Sequence, residues 1–241
     1  MSLPDLILLD GPVGCGKGTQ ANLLATKFGY YQFGFGTELR RFVAKYSDDQ
    51  NNSNYALASK IRQIMLDGRN VEPEDLFQAV GSKIEELIEA KQKVAIDSLK
   101  TMGAFKWLAE MSLKNDLNSL LIHFILDLET SLERLSHRYY VPSLPEIPFN
   151  SYEEALKHCG RKELPVRRED DMNQERILNQ YNLYKANHDE SIKILTQESN
   201  FKFIEIDARQ SVENIFDKIN QNLESYEQSG VLPDAYQFHR S

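Results

Sequence analysis

Cysteine is scarce in this chain of 241 residues: there are two, and their number and spacing suit neither a disulfide framework nor a paired-cysteine zinc site. A long uncharged apolar run is also missing, which argues against a membrane-spanning helix. The first residues lack the basic start that is typical of a signal peptide. We therefore expect a cytoplasmic protein, kept in a reducing compartment, that folds without covalent cross-links and does not bind membranes.

A surplus of basic residues is absent as well. Lys and Arg total 28 against 36 Asp and Glu, which gives a net charge of −8. Because nucleic-acid phosphates are bound by clustered Lys and Arg, this balance argues against a nucleic-acid partner. The hydrophobic share of 41% allows a substantial core, and the length suits one large domain with insertions. We expect a monomer whose basic residues act locally.

Apolar runs alternate with segments of helical period along the chain. The runs are residues 6–9, 94–96, 120–126 and 203–206, and a fifth, shorter strand is predicted at 31–33. Helices are predicted at 17–27, 38–45, 55–67, 73–90, 104–114, 128–137, 171–197 and 211–225. This alternation is typical of an α/β fold with a parallel sheet, in which ligands bind at the carboxyl ends of the strands.

The most informative segment is residues 11–20, GPVGCGKGTQ, directly after the first apolar run. A buried strand, a glycine-rich turn and a lysine that opens a helix together present backbone N–H groups and a helix dipole to an anion. Lys17 adds a mobile charge for the outer phosphates of a nucleotide. The alternative is a glycine-rich turn that only caps the helix. Gly18 stands where Ser or Thr usually follows this lysine, and Thr19 is displaced by one position.

The GKGTQ variant resembles the adenylate kinase family of nucleoside monophosphate kinases, in patches from about residue 6 to residue 219. The resemblance implies an α/β P-loop three-layer sandwich with a five-stranded parallel sheet in the order 2-3-1-4-5, flanked by helices. It further implies a core of residues 1–33, 73–138 and 169–241, an acceptor-binding arm at 34–72 and a lid at 139–168. ATP with Mg²⁺ is then the phosphoryl donor, and a nucleoside monophosphate is the acceptor.

The resemblance also assigns residues to the donor side. Those implied to bind ATP are Gly11, Gly14, Cys15, Gly16, Lys17, Gly18, Thr19 and Arg134. Those implied to act in transfer are Lys17, Arg138, Arg168 and Asp170, with Asp97 holding Mg²⁺ through water. Phosphoryl transfer calls for arginines that neutralise the moving charge, whereas a single surface arginine more often forms a solvated ion pair. Asp97 has the alternative of a helix or turn cap.

The acceptor side departs from the family pattern. Residues implied to bind the acceptor are Gly36, Arg40, Gly68, Val71, Lys100 and Phe105. The second acceptor-phosphate arginine of the family is missing, and the neighbouring Lys100 lacks the bidentate fork of an arginine. Phe105 occupies the position of the glutamine that reads adenine, and it cannot read a base by hydrogen bonds. We therefore expect an acceptor other than plain AMP, or AMP that is held weakly.

Two other functions stay open: a nucleotide sensor that binds ATP without transfer, and a P-loop kinase of a small non-nucleotide metabolite.

Several smaller expectations concern single segments and residues. Residues 139–165 are predicted to be Pro-rich at 142, 145 and 148 and then helical from 151 to 159, a helical and Pro-bounded segment rather than a small β element. The histidines show no metal-ligand spacing and are interpreted as structural or exposed. Cys15 has either a lowered pKa near the helix N-terminus or the role of a small spacer.

Overall fold

The computed structural model describes residues 2–67, 69, 71–97, 99–167 and 169–232, and only the backbone of Pro145, Glu146, Glu169 and Asp170. The strands are β1 (Leu6–Asp10), β2 (Tyr31–Gly34), β3 (Val94–Asp97), β4 (Ser119–Ile125), β5 (Tyr139–Val141), β6 (Leu144–Phe149) and β7 (Lys202–Asp207). The helices are α1 (Lys17–Phe28), α2 (Phe35–Tyr46), α3 (Tyr55–Leu66), α4 (Pro73–Glu89), α5 (Met102–Lys114), α6 (Leu128–Ser136), α7 (Tyr152–Leu156), α8 (Glu169–Met172), α9 (Gln174–Gln197) and α10 (Val212–Ser229).

A five-stranded sheet in the order β2-β3-β1-β4-β7 forms the centre of the molecule. All four strand pairs in it are parallel. The predicted order 2-3-1-4-5 is confirmed, because β7 is the fifth strand of this sheet in chain order. Strands β5 and β6 form a separate two-stranded sheet. The short strand predicted at 31–33 is also confirmed, as the edge strand β2.

Helices cover both faces of the sheet and make three layers. In β1, Leu6 and Leu8 pack against one layer, while Ile7 and Leu9 pack against the other. The first layer takes apolar residues from α2, α3, α4, α5 and α9, and the second takes them from α1 and α10. Burial on both faces explains why β1 reads as a continuous apolar run rather than an alternating one. In the described part of the chain, no helix has the length and apolar character needed to span a membrane.

The segment after α6 begins with a β-hairpin, so the prediction that this segment lacks a small β element is wrong. Strands β5 and β6 pair antiparallel, with Tyr140 opposite Pro148. Tyr140 of β5 also bridges to Val166, whereas β6 pairs with no second strand in the described residues, so a proline without an N–H group is tolerated in β6. The helical expectation holds only for α7, where the Ser151 side chain accepts a hydrogen bond from the N–H of Glu154 at 3.1 Å.

Local capping decides several helix ends. Helix α1, predicted at 17–27, ends at Phe28 and is capped by Gly29, which has φ 72° in the left-handed region. The helix predicted at 171–197 is divided, because the Asn173 side chain accepts a hydrogen bond from the N–H of Arg176 at 3.0 Å and starts α9 anew. Helix α2 begins at Phe35, three residues earlier than predicted. Residues 34–37 therefore lead directly from the sheet into a helix.

Candidate active site

The loop between β1 and α1 has a backbone that favours glycine. Gly11, Gly14 and Gly16 have φ values of 144°, 81° and 97°, which L side chains rarely adopt. At Gly11, a Cβ atom would also lie 2.7 Å from the carbonyl oxygen of Phe124. Helix α1 starts at Gly16 without a side-chain cap. Its first N–H groups are thus not satisfied by an N-cap side chain, and this is the arrangement that binds phosphate in other proteins.

Lys17 bends back across this loop. Its Nζ donates hydrogen bonds to the carbonyl oxygens of Gly11 at 2.9 Å and Pro12 at 2.8 Å. Both acceptors are neutral, whereas hydrogen bonds between an ammonium and a phosphate are charge-assisted and roughly twice as strong. The ammonium is therefore held beside the loop by partners that an anionic ligand can replace.

Asp97 lies beside the loop because β3 is the neighbour of β1. The register pairs Leu9 with Asp97. A Cβ atom on Gly18 would lie 3.3 Å from Oδ2 of Asp97, which is a tight contact, so glycine gives this carboxylate its space. Thr19 lines the same cleft. A carboxylate and a hydroxyl are oxygen ligands of the kind that Mg²⁺ prefers, so the residues present fit a magnesium ion.

Arg138 reaches the cleft from the connection between α6 and β5. Its Nε donates to Oδ2 of Asp171 at 2.8 Å, and its Nη2 bonds the other carboxylate oxygen. Its guanidinium also lies 5.6 Å from the centre of the Tyr140 ring. Burial alone would lower the pKa of Arg138, but the bonds to Asp171 and the nearby negative charges outweigh it, so the pKa is raised. Arg138 thus stays charged in a fixed orientation.

A second set of basic residues lies across the cleft. Nη2 of Arg40 donates to Oγ1 of Thr37 at 3.3 Å, and both residues belong to the first turns of α2. Lys100, in the connection after β3, and Phe105, in α5, also line the cleft. Phe105 is only 4% exposed. Gly36 lines the same end of the cleft.

Three residues predicted for the site contact other parts of the protein. Val71 is 9% exposed and packs in the core against the first helical layer. Arg134 lies in α6, and its Nη2 donates to the carbonyl oxygen of Gln210 at 3.5 Å. The Cys15 side chain is fully buried, and burial raises the pKa of its thiol although Lys17 opposes the shift. The expectation of a lowered Cys15 pKa is wrong, and the spacer interpretation agrees with the packing.

Three other predicted residues cannot be placed in full. Gly68 and Arg168 lie outside the described residues. Asp170 belongs to α8, of which its backbone is described and its side chain is not. The neighbouring Arg167 is described: its Nη2 donates to the carbonyl oxygens of Leu135 at 3.3 Å and Asp171 at 3.2 Å.

One cleft of about 520 Å³ joins these parts at the carboxyl ends of the strands. The predicted site residues that line it are Gly11, Gly14, Gly16, Lys17, Gly18, Thr19, Gly36, Arg40, Asp97, Lys100, Phe105 and Arg138. The tertiary structure therefore brings together residues that are more than 120 positions apart in sequence.

Helix α9 supplies a wall of the cleft that sequence reasoning missed. The lining residues from this helix are Gln180, Leu183, Tyr184, Asn187 and Ser191. They recur every three or four residues, so they form one stripe along the helix. That spacing was visible in the sequence, but a polar stripe on a long helix is usually read as a solvated face. Gln32 was missed as well, and its Nε2 donates to the carbonyl oxygen of Gly18 at 3.4 Å.

Comparison with known proteins finds a family profile and several relatives that match this chain. The profile of the family described as "AAA domain" matches residues 11–139. The chain is 27% identical over 229 residues to an adenylate kinase of Petrotoga mobilis, covering 91% of this chain and 98% of the relative. It is 28% identical over 227 residues to an adenylate kinase of Hydrogenobaculum sp., covering 90% and 100%. A cytidylate kinase of Polynucleobacter necessarius is 35% identical over 99 residues, which cover 36% of this chain and 46% of that protein.

Proposed function

This chain belongs to the AAA domain family and is a divergent adenylate kinase-like protein, and from that premise we propose that it reversibly transfers the γ-phosphoryl group of MgATP to a nucleoside monophosphate. The observation that carries the proposal is the shared cleft, in which the phosphate loop faces Arg138 and the basic residues of the opposite end. A nucleotide kinase needs this juxtaposition, because two anionic substrates must meet in line.

The donor triphosphate lies along the loop in this proposal. The N–H groups at the start of α1 and the Lys17 ammonium bind its outer phosphates, with Lys17 exchanging the carbonyls of Gly11 and Pro12 for phosphate oxygens. Asp97 and Thr19 hold Mg²⁺, with Asp97 acting through water. When bound, Mg²⁺ neutralises charge on the phosphate oxygens of the donor.

Arg138 stabilises the moving phosphoryl group. Its charge faces the cleft, and its orientation is held by Asp171, which is 5% exposed. A guanidinium that is already oriented costs little reorganisation in the transition state, which is why such arrangements catalyse well. Arg168 and Asp170 complete this group of residues in the proposal. The acceptor-binding arm at 34–72 and the lid at 139–168 then exclude water, so that ATP is not hydrolysed.

The acceptor phosphate binds near Arg40, with Lys100 as a second positive charge, and its base lies towards Phe105. Phe105 is almost fully buried in the core and carries no hydrogen-bonding group. A site that lacks donors and acceptors at this point cannot strongly select one base edge. We therefore propose that the acceptor is not plain AMP, or is AMP bound weakly.

An acceptor panel tests the proposal. The purified chain with MgATP is offered AMP, CMP, UMP, GMP, the deoxynucleoside monophosphates or no acceptor, and ADP formation is measured. We expect turnover with at least one acceptor and little ATP hydrolysis without one. AMP turnover at a rate ordinary for adenylate kinases would contradict the acceptor proposal. Transfer to none of them would contradict the kinase proposal, and tight ATP binding in that case would favour a nucleotide sensor.

The variant Lys17→Met tests the proposed donor site. Methionine keeps an unbranched side chain of similar size and removes the ammonium group that bonds the carbonyls of Gly11 and Pro12. We expect weaker ATP binding and a loss of transfer of at least 100-fold, about 2.7 kcal/mol in transition-state binding. Unchanged affinity and turnover in a folded Lys17→Met protein would contradict the proposed donor site.

A further inference from the structure

A cluster of three metal-ligand side chains lies behind the phosphate loop and has no part in the transfer proposed above. Asp10 ends β1 and His123 belongs to β4, and the parallel register places the two directly opposite each other. His188 approaches from α9. One donor atom of each residue lies within 4.8 Å of the other two. The sequence indicated no metal spacing for these histidines because their contacts depend on strand register and helix docking.

Polar atoms in this cluster lack hydrogen-bond partners. Nδ1 of His123 and Nδ1 of His188 are both buried without one, and the His123 side chain is only 2% exposed. Oδ2 of Asp10 lies 3.5 Å from Nδ1 of His123, which is too long for an ordinary hydrogen bond. A buried polar atom without a partner costs about 1–3 kcal/mol. The unpartnered Nδ1 of His123 beside the buried carboxylate of Asp10, with a ring nitrogen of His188 within 4.8 Å, therefore indicates a missing common partner.

Tyr184 orients the first of these rings. Its hydroxyl lies 3.0 Å from Nε2 of His123. When Nε2 carries the proton and donates it to this oxygen, Nδ1 presents a lone pair on the side of Asp10. Metal-binding histidines commonly have this arrangement, in which the second ring nitrogen donates to an oxygen. The ring of His188 packs against that of His123, with centroids 4.4 Å apart.

The donor set selects the class of ion. Two imidazole nitrogens and one carboxylate suit a divalent transition ion such as Zn²⁺, whereas Mg²⁺ prefers oxygen ligands. Ligand bonds of about 2.0–2.1 Å place tetrahedral donors roughly 3.3 Å apart. The 3.5 Å between Asp10 and His123 is close to this spacing. Asp10 and Tyr184 also line the cleft, which gives an ion a route to the cluster.

We propose that Asp10, His123 and His188 form a binding site for one divalent transition ion, with Zn²⁺ as the best fit. The ion ties α9 to the central sheet at the wall of the cleft and gives the buried Nδ1 of His123 a partner. It is distinct from the Mg²⁺ that accompanies ATP, since Asp97 and Thr19 are not among its ligands.

Metal binding to the full chain tests this site without nucleotide, so the result is independent of the proposed phosphoryl transfer. The chelator-treated protein is titrated with Zn²⁺ and its metal content is measured after dialysis. Co²⁺ is used in parallel as a spectroscopic probe. We expect one Zn²⁺ per chain, a rise in Tm on binding, and a Co²⁺ absorption spectrum typical of tetrahedral nitrogen and oxygen ligands.

Variants connect the binding to these residues. His188→Ala is expected to weaken Zn²⁺ binding at least 100-fold, while His158→Ala, which removes an exposed histidine outside the cluster, leaves it unchanged. Tyr184→Phe keeps all three ligands and is expected to weaken binding about tenfold, as loss of an outer partner does. Because Tyr184→Phe is a conservative change, it still tests the site if His188→Ala does not fold. Absence of Zn²⁺ binding by the unmodified chain, or equal binding by unmodified, His188→Ala and Tyr184→Phe proteins, overturns the proposal.

Discussion

The carboxylate of Asp171 accepts two hydrogen bonds from the guanidinium of Arg138. Nε donates to Oδ2 at 2.8 Å, and Nη2 donates to Oδ1. The two residues are 33 positions apart, and the pair joins α8 to the segment between α6 and β5. Asp171 is almost fully buried, whereas Arg138 is partly exposed towards the cleft. The pair therefore aims a positive charge into the cleft and also contributes to the fold.

Replacing Asp171 by Asn should destabilise the protein. The amide keeps the shape of the side chain but removes the negative charge and one of the two acceptors. Because hydrogen bonds to charged groups contribute about 1.5–3 kcal/mol, we expect a loss of that order in the free energy of unfolding, measured in urea. Asp207→Asn is the matched control, since the Asp207–Arg209 pair lies at the surface. Equal losses in the two variants would show that the buried pair is no stronger than the surface pair.

Replacing Gly18 by Ala should lower the activity without lowering the stability of the protein. Alanine is favoured over glycine in a helix by about 1 kcal/mol, so the midpoint of unfolding should stay the same or rise. The new methyl group would lie 3.3 Å from Oδ2 of Asp97 and push this carboxylate aside. We expect Mg²⁺-dependent turnover to fall at least tenfold.

Gly81→Ala in α4 provides the control for that variant. There the methyl group would make an ordinary 3.7 Å contact with Phe77, and neither residue lines the cleft. We expect a similar gain in helix stability and full turnover. A Gly18→Ala protein as active as Gly81→Ala would refute the role given to the space beside Asp97.

Replacing Phe105 by Gln should change acceptor preference. The amide would offer a donor and an acceptor where we propose that the acceptor base binds, so kcat/KM for AMP relative to other acceptors should rise about tenfold, equivalent to about 1.4 kcal/mol. Phe105→Leu removes the same aromatic ring without adding polar atoms and serves as the control. Both variants should lose roughly 1–3 kcal/mol of stability, because the ring is buried. An equal shift in preference in both variants would contradict base reading at this position.

The two thiols should differ in reactivity. Desolvation raises the pKa of both thiols, but Cys15 is fully buried whereas Cys159 is partly exposed, so the two differ in access to a reagent. Because the thiolate is the nucleophile, iodoacetamide at pH 8 should modify Cys159 in the native protein and leave Cys15 intact. Peptide mass analysis identifies the modified residue. Cys159→Ser should abolish native labelling, while urea should expose Cys15 to it. Rapid native labelling of Cys15 would contradict its burial.

The phosphate loop and the central sheet could be predicted from the sequence because their causes are local. Positive φ at Gly11, Gly14 and Gly16 requires glycine, and a strand that is buried on both faces needs a continuous apolar run. The hairpin of β5 and β6 was missed because its prolines are tolerated only where a strand has an open edge. Whether Pro148 lies at such an edge depends on which strands pair, and a single segment does not carry that information.

The amino-acid sequence by itself determined where the chain turns, which strands are buried and where an anion can bind, since each depends on the backbone preferences and polarity of a few adjacent residues. Only the tertiary structure decided that α9 forms a wall of the cleft, that Asp171 holds Arg138, and that Asp10, His123 and His188 meet. These contacts join residues tens to more than a hundred positions apart. They depend on strand register and helix docking, which the packing of the whole core sets.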